Sequence, residues 1–600
     1  MSFYFEPFES RRPPEPLPYS AARELLWQFL AALSLGLGAS YIFWRWTASL
    51  NHDALWFAIP LAVAETCAFI GLVLFTFNLW RDARPAVPPP PRVLSECVSA
   101  AAAEERPLRV DVFFPSYDED LELVRLSIRD AKRLLYPYPI DVRIHVLDDG
   151  RRATMKQLAA DEGIGYITRT TNMGYKAGNL RNAMEQTDGD FIVICDADTR
   201  PLPTLLEHTL GYFRDPDMAW VQTPQWFFDL PAGRRLPDAW GRRWGRFGRL
   251  LGRGIEACAG PMTVGADPFV NDPQMFYDVI LRRRNHANAA FCCGAGSVHR
   301  REAVMEAALK GWVAQVDAET RRVVGKVGAK MGGGEVGGDL EDAMRRQIAL
   351  ETELTPYKFH VSEDIYTSIV LHGDRDRRWK SVLHPWVQSK MLSPQDLQTW
   401  AMQRFKYAGG TLDICLHDNP IFRRGLDWRQ KLMYGCTFWS YFGGLWNFAF
   451  LVSPIIYLFT GIAPVASYSF AFFKHALPFL IANELATMVG TWGVINLKAK
   501  ASFIAFFGLN LRALWTVVRG ETIKFPVTPK ERQSGTFYRL ARPQIIIIAL
   551  TLTGLLMQGA ALALTRRGDL GAYLTNLFWG LNNVYLLAGF VRAAGWTPEE

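Results

Sequence analysis

Residues 110–120 read VDVFFPSYDED, a short apolar run that closes in a polar cluster. Val110 to Phe114 is rich in β-branched and aromatic residues and is stopped by Pro-Ser-Tyr, which reads as a strand. Leu121 to Leu135 follows with helical spacing, and Asp141 to Leu147 repeats the strand pattern. Strand, helix, strand in that order predicts a βαβ unit with parallel strands. Working outward, Tyr166 to Thr168 and Phe191 to Cys195 add strands around the helical stretch Ala177 to Gln186, and Ala219 to Gln222 follows another helix. The expected fold is an α/β, Rossmann-like domain with a mostly parallel sheet, which binds ligands beyond the carboxyl ends of its strands.

Polar clusters stand at those ends. PSYDED (115–120) follows the first strand, DDG (148–150) the second, and DAD (196–198) the run FIVIC. Like carboxylates repel, so three acidic clusters converging on one crevice need a reason. A divalent cation, Mg²⁺ or Mn²⁺, bridging a diphosphate supplies one, with a further carboxylate free for ribose hydroxyls. A lone DxD is more often a solvated turn; DxD together with DDG at strand ends is far more specific. Lys176 in GYKAGN opens a helix, where its ammonium and the helix amides suit phosphate, although an ordinary N-terminal lysine looks the same. In HVSED (360–364), Glu363 and Asp364 read either as favourable first-turn charges or as a carboxylate that removes an acceptor proton.

The rest of the chain is of another kind. It has 600 residues, 49% hydrophobic, 13% aromatic and 21% charged, with 20 Trp. The mean hydropathy of +0.01 blends a charged middle with long uncharged runs. Leu25 to Phe43 carries no charge over 19 residues, and Leu55 to Trp80 is broken only by Glu65. Each is sufficient to cross a hydrocarbon core about 30 Å thick. The N-terminal run lacks a convincing cleavage site and reads as an anchor. Leu432 to Phe473, 42 residues without charge, reads as two spans or as one span with a re-entry, and Ala476 to Leu497 with Glu484, Pro543 to Thr565 and Leu570 to Val591 follow, giving six spans. Ser502 to Val518 reads as an amphipathic helix on the inner surface. Basic clusters at 81–84, 423–431 and 498–542 put those loops and both termini in the cytosol. Glu65 and Glu484 mark either a pathway or a packing hydrogen bond. The net charge of +7 is accounted for by residues beside spans, so no nucleic-acid partner is expected. The eight cysteines have no metal-ligand spacing and fit a reduced, cytosol-facing domain.

PSYDED, VLDDG, YKAGN, ICDAD, VQTP, FCCG, SED and QRFKY occur here in one order, and that order resembles the membrane-integrated family 2 glycosyltransferases, above all the bacterial cellulose synthase group. The resemblance runs from about Leu25 to the end of the sequence. It implies a GT-A catalytic domain inserted in a transmembrane channel, transfer from a UDP-sugar with inversion, and secretion of the growing polysaccharide through the bilayer. The implied organisation is a cytosolic tail (1–24), a two-span hairpin (25–80), the GT-A domain (81–418), and interface helices, a gating loop and four spans (419–600).

Carried over residue by residue, the resemblance gives Tyr117, Glu119, Asp148 and Asp149 to the uridine part and Lys176 to the diphosphate. Asp196 and Asp198 take nucleotide and metal. Asp364, beside Glu363, is the implied general base. Gln403, Arg404 and Lys406 belong to the donor site. Phe291, Cys292, Cys293, Gly294 and Tyr407 belong to the acceptor's end, where Trp386 and Trp400 also lie close enough in sequence to stack on sugar rings. FPVTPKE (525–531) resembles the gating loop through Phe525, Val527, Thr528 and Lys530.

Departures also count. The QxxRW element reads QRFKY, with Lys406 for the usual Arg and Tyr407 for the usual Trp, which puts acceptor register and linkage in doubt. Met305 to Tyr357 is longer than the corresponding family segment and contains GGGEVGG (332–338), read as a flexible surface insertion between helices. No PilZ-like cyclic di-GMP domain follows the last apolar run, which ends about nine residues before Glu600. The implied activity is a processive glucosyltransferase making a β-1,3 (curdlan-like) or β-1,4 glucan from UDP-glucose in a bacterial inner membrane, with a periplasmic accessory subunit as a further partner. A single-sugar transferase to a lipid acceptor and a non-catalytic membrane scaffold are the alternatives. The retained acids at 149, 196, 198 and 364 count against the scaffold.

Overall fold

The computed structural model describes residues 3–98, 104–230, 233–265, 273–330, 338–466, 470–494, 497–521, 523, 535–565 and 569–596. Its centre is a seven-stranded sheet of β1 (Leu108–Ser116), β2 (Ile140–Asp148), β3 (Gly165–Ile167), β4 (Phe191–Ile194), β5 (Met218–Gln222), β6 (Ser297–Arg300) and β7 (Lys380–Leu383), in the order β7-β5-β6-β4-β1-β2-β3. β1 runs parallel to both β2 and β4, while β6 is antiparallel to β4 and β5. The chain order therefore reverses between β1 and β4, the place where open α/β sheets take ligands. Val110, Val112, Phe114, Val146 and Val193 are fully buried on one face; Phe113, Leu147, Ile192 and Ile194 pack on the other. Asp111, the acid inside β1, is buried and accepts hydrogen bonds from Gly189 N at 2.8 Å and Arg301 Nη2 at 2.7 Å.

Among the described residues, four helices are long and apolar enough to cross a membrane: Ala21–Ala48, His52–Leu79, Gly443–Thr460 and Arg542–Leu564. Two more of the six expected spans form long helices, Phe470–Thr491 and Leu570–Ala594, of 22 and 25 residues, in less apolar sequence. The ambiguous run after Leu432 divides into helices Trp428–Tyr441 and Gly443–Thr460. Ser502 to Val518 lies in the short helices Leu497–Ala505 and Phe507–Val518. Both intramembrane acids are ion-paired: Glu65 with the buried Arg45 at 2.9 Å, and Glu484 with Lys500. That supports their reading as packing contacts.

The ends of three membrane helices meet the sheet domain at one level. Trp27 Nε1 donates to Leu79 O at 3.2 Å, Arg283 pairs with Glu24 at 3.1 Å and donates to Leu79 O, and the Trp27 ring lies against Gly490.

One segment departs from its sequence reading, and another gains contacts that the reading did not specify. The segment read as a flexible insertion is largely helical: Arg301–Lys330 and Gly338–Glu351 flank residues 331–337, which lie outside the described residues. Val304, Ala307, Ala308 and Val316 are buried, and Trp312 Nε1 donates to Thr352 O at 2.8 Å. The N-terminal tail is docked on the sheet domain. Phe5 is buried among Leu123, Phe228 and Leu392, Tyr4 OH donates to Asp229 Oδ2 at 2.9 Å, and Glu9 pairs with Arg200 and, at 2.6 Å, with Lys390.

Candidate active site

The turn after β1 is held by Glu119, which accepts from Tyr117 N at 2.7 Å and Ser116 Oγ at 2.9 Å, leaving the Tyr117 ring half-exposed at the cleft. Asp148, at the end of β2, is fully buried. Its carboxylate accepts from Arg152 N at 2.6 Å, Arg152 Nε at 3.2 Å, Gly150 N at 3.2 Å and Tyr166 OH at 3.1 Å. These bonds spend Asp148 on shaping the DDG turn. Asp149 forms a bidentate pair with Arg169 at 2.6 and 2.7 Å, and Arg169 Nη2 also donates to Tyr175 O at 2.8 Å. The second acidic cluster is thereby fastened to the start of the helix that carries Lys176. Sequence reasoning missed Arg152 and Arg169, although the arginines directly after DDG and four residues before Met173 were visible charges.

Lys176 sits in the first turn of helix Tyr175–Gln186, entered through Gly174 at φ +72°, where a β-carbon would collide with the Phe359 ring. Its Nζ donates to Asp196 Oδ1 at 2.6 Å. Burial opposes its charge, but the carboxylates of Asp196, Asp364 and Glu363 outweigh it and hold the ammonium protonated. Glu363 and Asp364 open helix Glu363–His372, so they are first-turn acids, and both lie within the electrostatic reach of Lys176. Burial pushes both carboxyls above the usual range; Asp364 raises Glu363 further, Asp196 raises Asp364, and Lys176 pulls both back.

Gly294, at φ +84°, lies directly against the Asp364 carboxylate. The backbone of the Cys-Cys-Gly segment is pinned around it: Cys292 N donates to Ser368 Oγ at 2.8 Å, whose hydroxyl donates to Asp364 O at 2.8 Å, and Cys293 N donates to Gln222 Oε1 at 2.7 Å. Burial pushes the Cys292 thiol up to about 12, so it is no nucleophile at neutral pH. Phe291 is buried beneath the Arg284 guanidinium at 5.3 Å and stacks on Tyr434, which makes it core rather than cleft surface.

Helix Leu397–His417 carries Gln403, Arg404, Lys406 and Tyr407. Tyr407 is half-exposed, and burial of its hydroxyl, with Asp196 and Asp364 adding to it, pushes that hydroxyl up. It therefore stands in the electrostatic field of both acids. Lys406 is buried, and Arg404 lies 5.7 Å over the Trp400 ring. Trp400 corrects the sugar-stacking reading: it is 1% exposed and packs on Phe506 at 4.2 Å, whereas Trp386 is 44% exposed. Phe525, Val527, Thr528 and Lys530 lie outside the described residues.

Residues 111–307, from β1 to the helix after β6, match the family described as Glycosyl transferase family 2. A cellulose synthase catalytic subunit [UDP-forming] of Pseudomonas fluorescens is 28% identical over 94% of this chain and 66% of its own length. Cellulose synthase 1 of Komagataeibacter xylinus is 28% identical over 95% of this chain and 32% of its own. The chain is a family 2 glycosyltransferase related to bacterial cellulose synthase catalytic subunits. This glycosyltransferase thus spans between a third and two thirds of the length of those two relatives. Among solved structures, a mannosyltransferase from Pyrobaculum calidifontis in complex with GDP-Man and Mn²⁺ aligns over 74% of the glycosyltransferase and 99% of its own chain, at 15% identity and a TM-score of 0.38.

A divalent cation suits the donor set of this glycosyltransferase. Among the described residues no group of three or more His, Cys, Asp or Glu side chains is arranged to hold a metal. Mg²⁺, however, takes one or two carboxylates and completes its shell with water and substrate phosphates. Asp196 and Asp198 offer such hard oxygens, and Asp196 already holds a cation, the Lys176 ammonium. Asp198 is nearly enclosed, with Oδ2 accepting from Leu392 N at 3.3 Å.

Proposed function

We propose that this protein is a processive, inverting glucosyltransferase that builds a β-glucan from UDP-glucose and passes it across a bacterial inner membrane, with its sheet domain and both termini in the cytosol. The observation that carries the reading is the contact between Asp364 and Gly294, with the Lys176 ammonium electrostatically coupled to the same carboxylate. A base, a close-packed backbone wall and a cation are what glycosyl transfer from a nucleoside diphosphate requires.

In the proposed reaction the acceptor hydroxyl rests against the Cys293–Gly294 backbone within reach of Asp364. Its oxygen attacks the anomeric carbon, the bond from that carbon to the diphosphate oxygen breaks on the opposite face, and the hydroxyl proton passes to Asp364. Lys176 meets the negative charge of the departing UDP. Tyr117 borders the uridine, Glu119 and Asp148 shape its seat, and Asp149 with Arg169 ties the seat to the lysine. A Mg²⁺ or Mn²⁺ ion held by Asp196 and Asp198 would offset diphosphate charge. Tyr407 borders the acceptor end, with a growing glucan and a periplasmic accessory subunit as further partners.

The test is synthesis by the purified protein in lipid, given UDP-glucose with Mg²⁺ or Mn²⁺. A polymer sensitive to a β-1,3- or β-1,4-specific glucanase supports the reading and assigns the linkage. Transfer of one sugar to a lipid, or hydrolysis of UDP-glucose without polymer, overturns processivity.

A further inference from the structure

Residues 234–264 form a hairpin closed by a short two-stranded ladder. Arg234 and Arg235 pair antiparallel with Val264 and Thr263. Between them, Leu236–Ala259 is a helical hairpin reversed at Trp244 (φ −129°, ψ 19°) and Gly245 (φ 60°, ψ −141°). The two legs touch through glycine: a β-carbon on Gly248 would meet Trp240 O at 2.3 Å, and one on Gly252 would meet Pro237 Cα at 2.7 Å. That closeness fixes which face of the second leg is inward.

The outward face is unusual for a catalytic domain. Trp244 at the turn is 53% exposed, and Phe247, Leu250 and Leu251 are 71, 70 and 42% exposed. Phe247, Leu250, Leu251 and Gly254 follow the i, i+3, i+4, i+7 spacing of one helix face. Arg246, Arg249 and Arg253 are exposed beside that stripe, and Arg242 and Arg243 are exposed on the first leg. Against these five arginines the hairpin carries two acids, Asp238 and Glu256, and Glu256 is spent on Arg235 at 2.6 Å. Bulky apolar residues in a stripe flanked by arginine are the composition of a helix seated at a lipid headgroup boundary.

Its location agrees. The base of the hairpin is held at the level where the membrane helices end: Gly260 and Pro261 lie against Trp492 and Gly493, directly after helix Phe470–Thr491. Arg23, at the start of helix Ala21–Ala48, covers the Trp492 ring at 4.8 Å. The second leg therefore ends beside the bilayer that these helices cross.

We infer that the 234–264 hairpin rests on the bilayer surface, with Trp244, Phe247, Leu250 and Leu251 in the headgroup boundary and its arginines on anionic lipid. This rests on the membrane-crossing helices and not on the proposed reaction. The experiment uses the full chain in nanodiscs, with Cys258→Ser to remove the exposed native thiol of the hairpin and Leu250→Cys carrying a bimane label. Brominated phospholipids are compared in phosphatidylcholine discs with and without phosphatidylglycerol, and a label at Leu135→Cys on the sheet domain is the solvent reference. Quenching at 250 and not at 135, raised at least twofold by phosphatidylglycerol and lowered by Arg246→Gln with Arg249→Gln, is expected. Equal quenching with and without phosphatidylglycerol overturns the anionic-lipid assignment. Quenching at 250 no greater than at 135 overturns the lipid contact and makes a protein partner the occupant.

Discussion

Gly294 and Asp364 are in contact so close that a β-carbon on Gly294 would stand 2.8 Å from Asp364 Oδ2. At φ +84° the glycine also holds a backbone conformation that an L side chain adopts at a cost of about 1–2 kcal/mol. Gly294→Ala is therefore expected to move the carboxylate rather than unfold the domain. A displacement of that kind costs roughly 100-fold in turnover. Initial rates measured beside thermal melting separate the two effects; unchanged turnover would show that the contact is incidental.

Asp364→Asn keeps the shape and removes the proposed proton acceptor. Transfer should fall by about 100- to 10,000-fold, while UDP binding, measured by calorimetry, stays within a few-fold of the parent. Normal turnover in this variant would remove Asp364 from its role as base.

The charge on Lys176 sets where that base titrates. Burial and the neighbouring acids raise Asp364 and Glu363, and Lys176 lowers them. The carboxylate is the active form, so kcat/KM should rise with pH along a limb displaced above the ordinary carboxylate range. Lys176→Met withdraws the lowering and should move that limb to still higher pH, besides raising the donor KM. For stability the sign is opposite: a folded carboxyl with a raised pKa favours the fold below its unfolded value, and the benefit is lost as pH rises through the folded value. Glu363→Gln should therefore flatten the decline in melting temperature with rising pH. A limb that does not move in Lys176→Met contradicts the electrostatic coupling.

The proposed donor side of this site was legible because local pattern and tertiary placement coincide there. Short apolar strands ended in PSYDED, DDG and DAD, and parallel strands bring such ends to one edge. What could not be read depends on partners remote in sequence. Nothing near Asp149 announces that Arg169 will hold it, and nothing near Tyr4 announces Asp229, 225 residues on. Strand β6 is antiparallel within a sheet whose local signals are all parallel, and its partners β4 and β5 lie far from it in sequence. The long segment after Met305 was misread for a related reason. Its glycines mark a break between two helices, and the burial of Ala307, clustered with Trp220 of β5, is decided by the sheet and not by local composition.

The docked tail has a functional consequence. Asp229 accepts from Tyr4 and also from Ser393 N at 3.0 Å and Gln395 Nε2 at 2.8 Å, while Leu392 N donates to Asp198. The loop 392–396 thus links the tail to an acid of the DAD cluster and to Asp396, the N-cap of the helix carrying Tyr407. Phe5→Ala should release the tail, seen as faster proteolysis before residue 20, and raise the donor KM several-fold with less change in kcat. Faster cleavage with unchanged KM would make the tail a passive strap.

Trp400 and Trp386 distinguish packing from sugar contact. Trp400 is enclosed against Phe506 at 4.2 Å and Phe590 at 6.1 Å, so it fastens the helix of Gln403 to Tyr407 onto the membrane-helix ends. Removing an enclosed ring of this size costs about 3–5 kcal/mol, so Trp400→Ala should lower the melting temperature, with activity lost in step with the fold. Trp386, tilted by 49° against His384 at 5.4 Å, is 44% exposed. Trp386→Ala should leave the melting temperature within the spread of other surface substitutions, about 0.5 kcal/mol, and shorten the product if a sugar ring stacks there. A stable Trp400→Ala variant with shortened product would reverse the two assignments, because an enclosed ring can reach a glucan only if its packing against Phe506 opens during turnover.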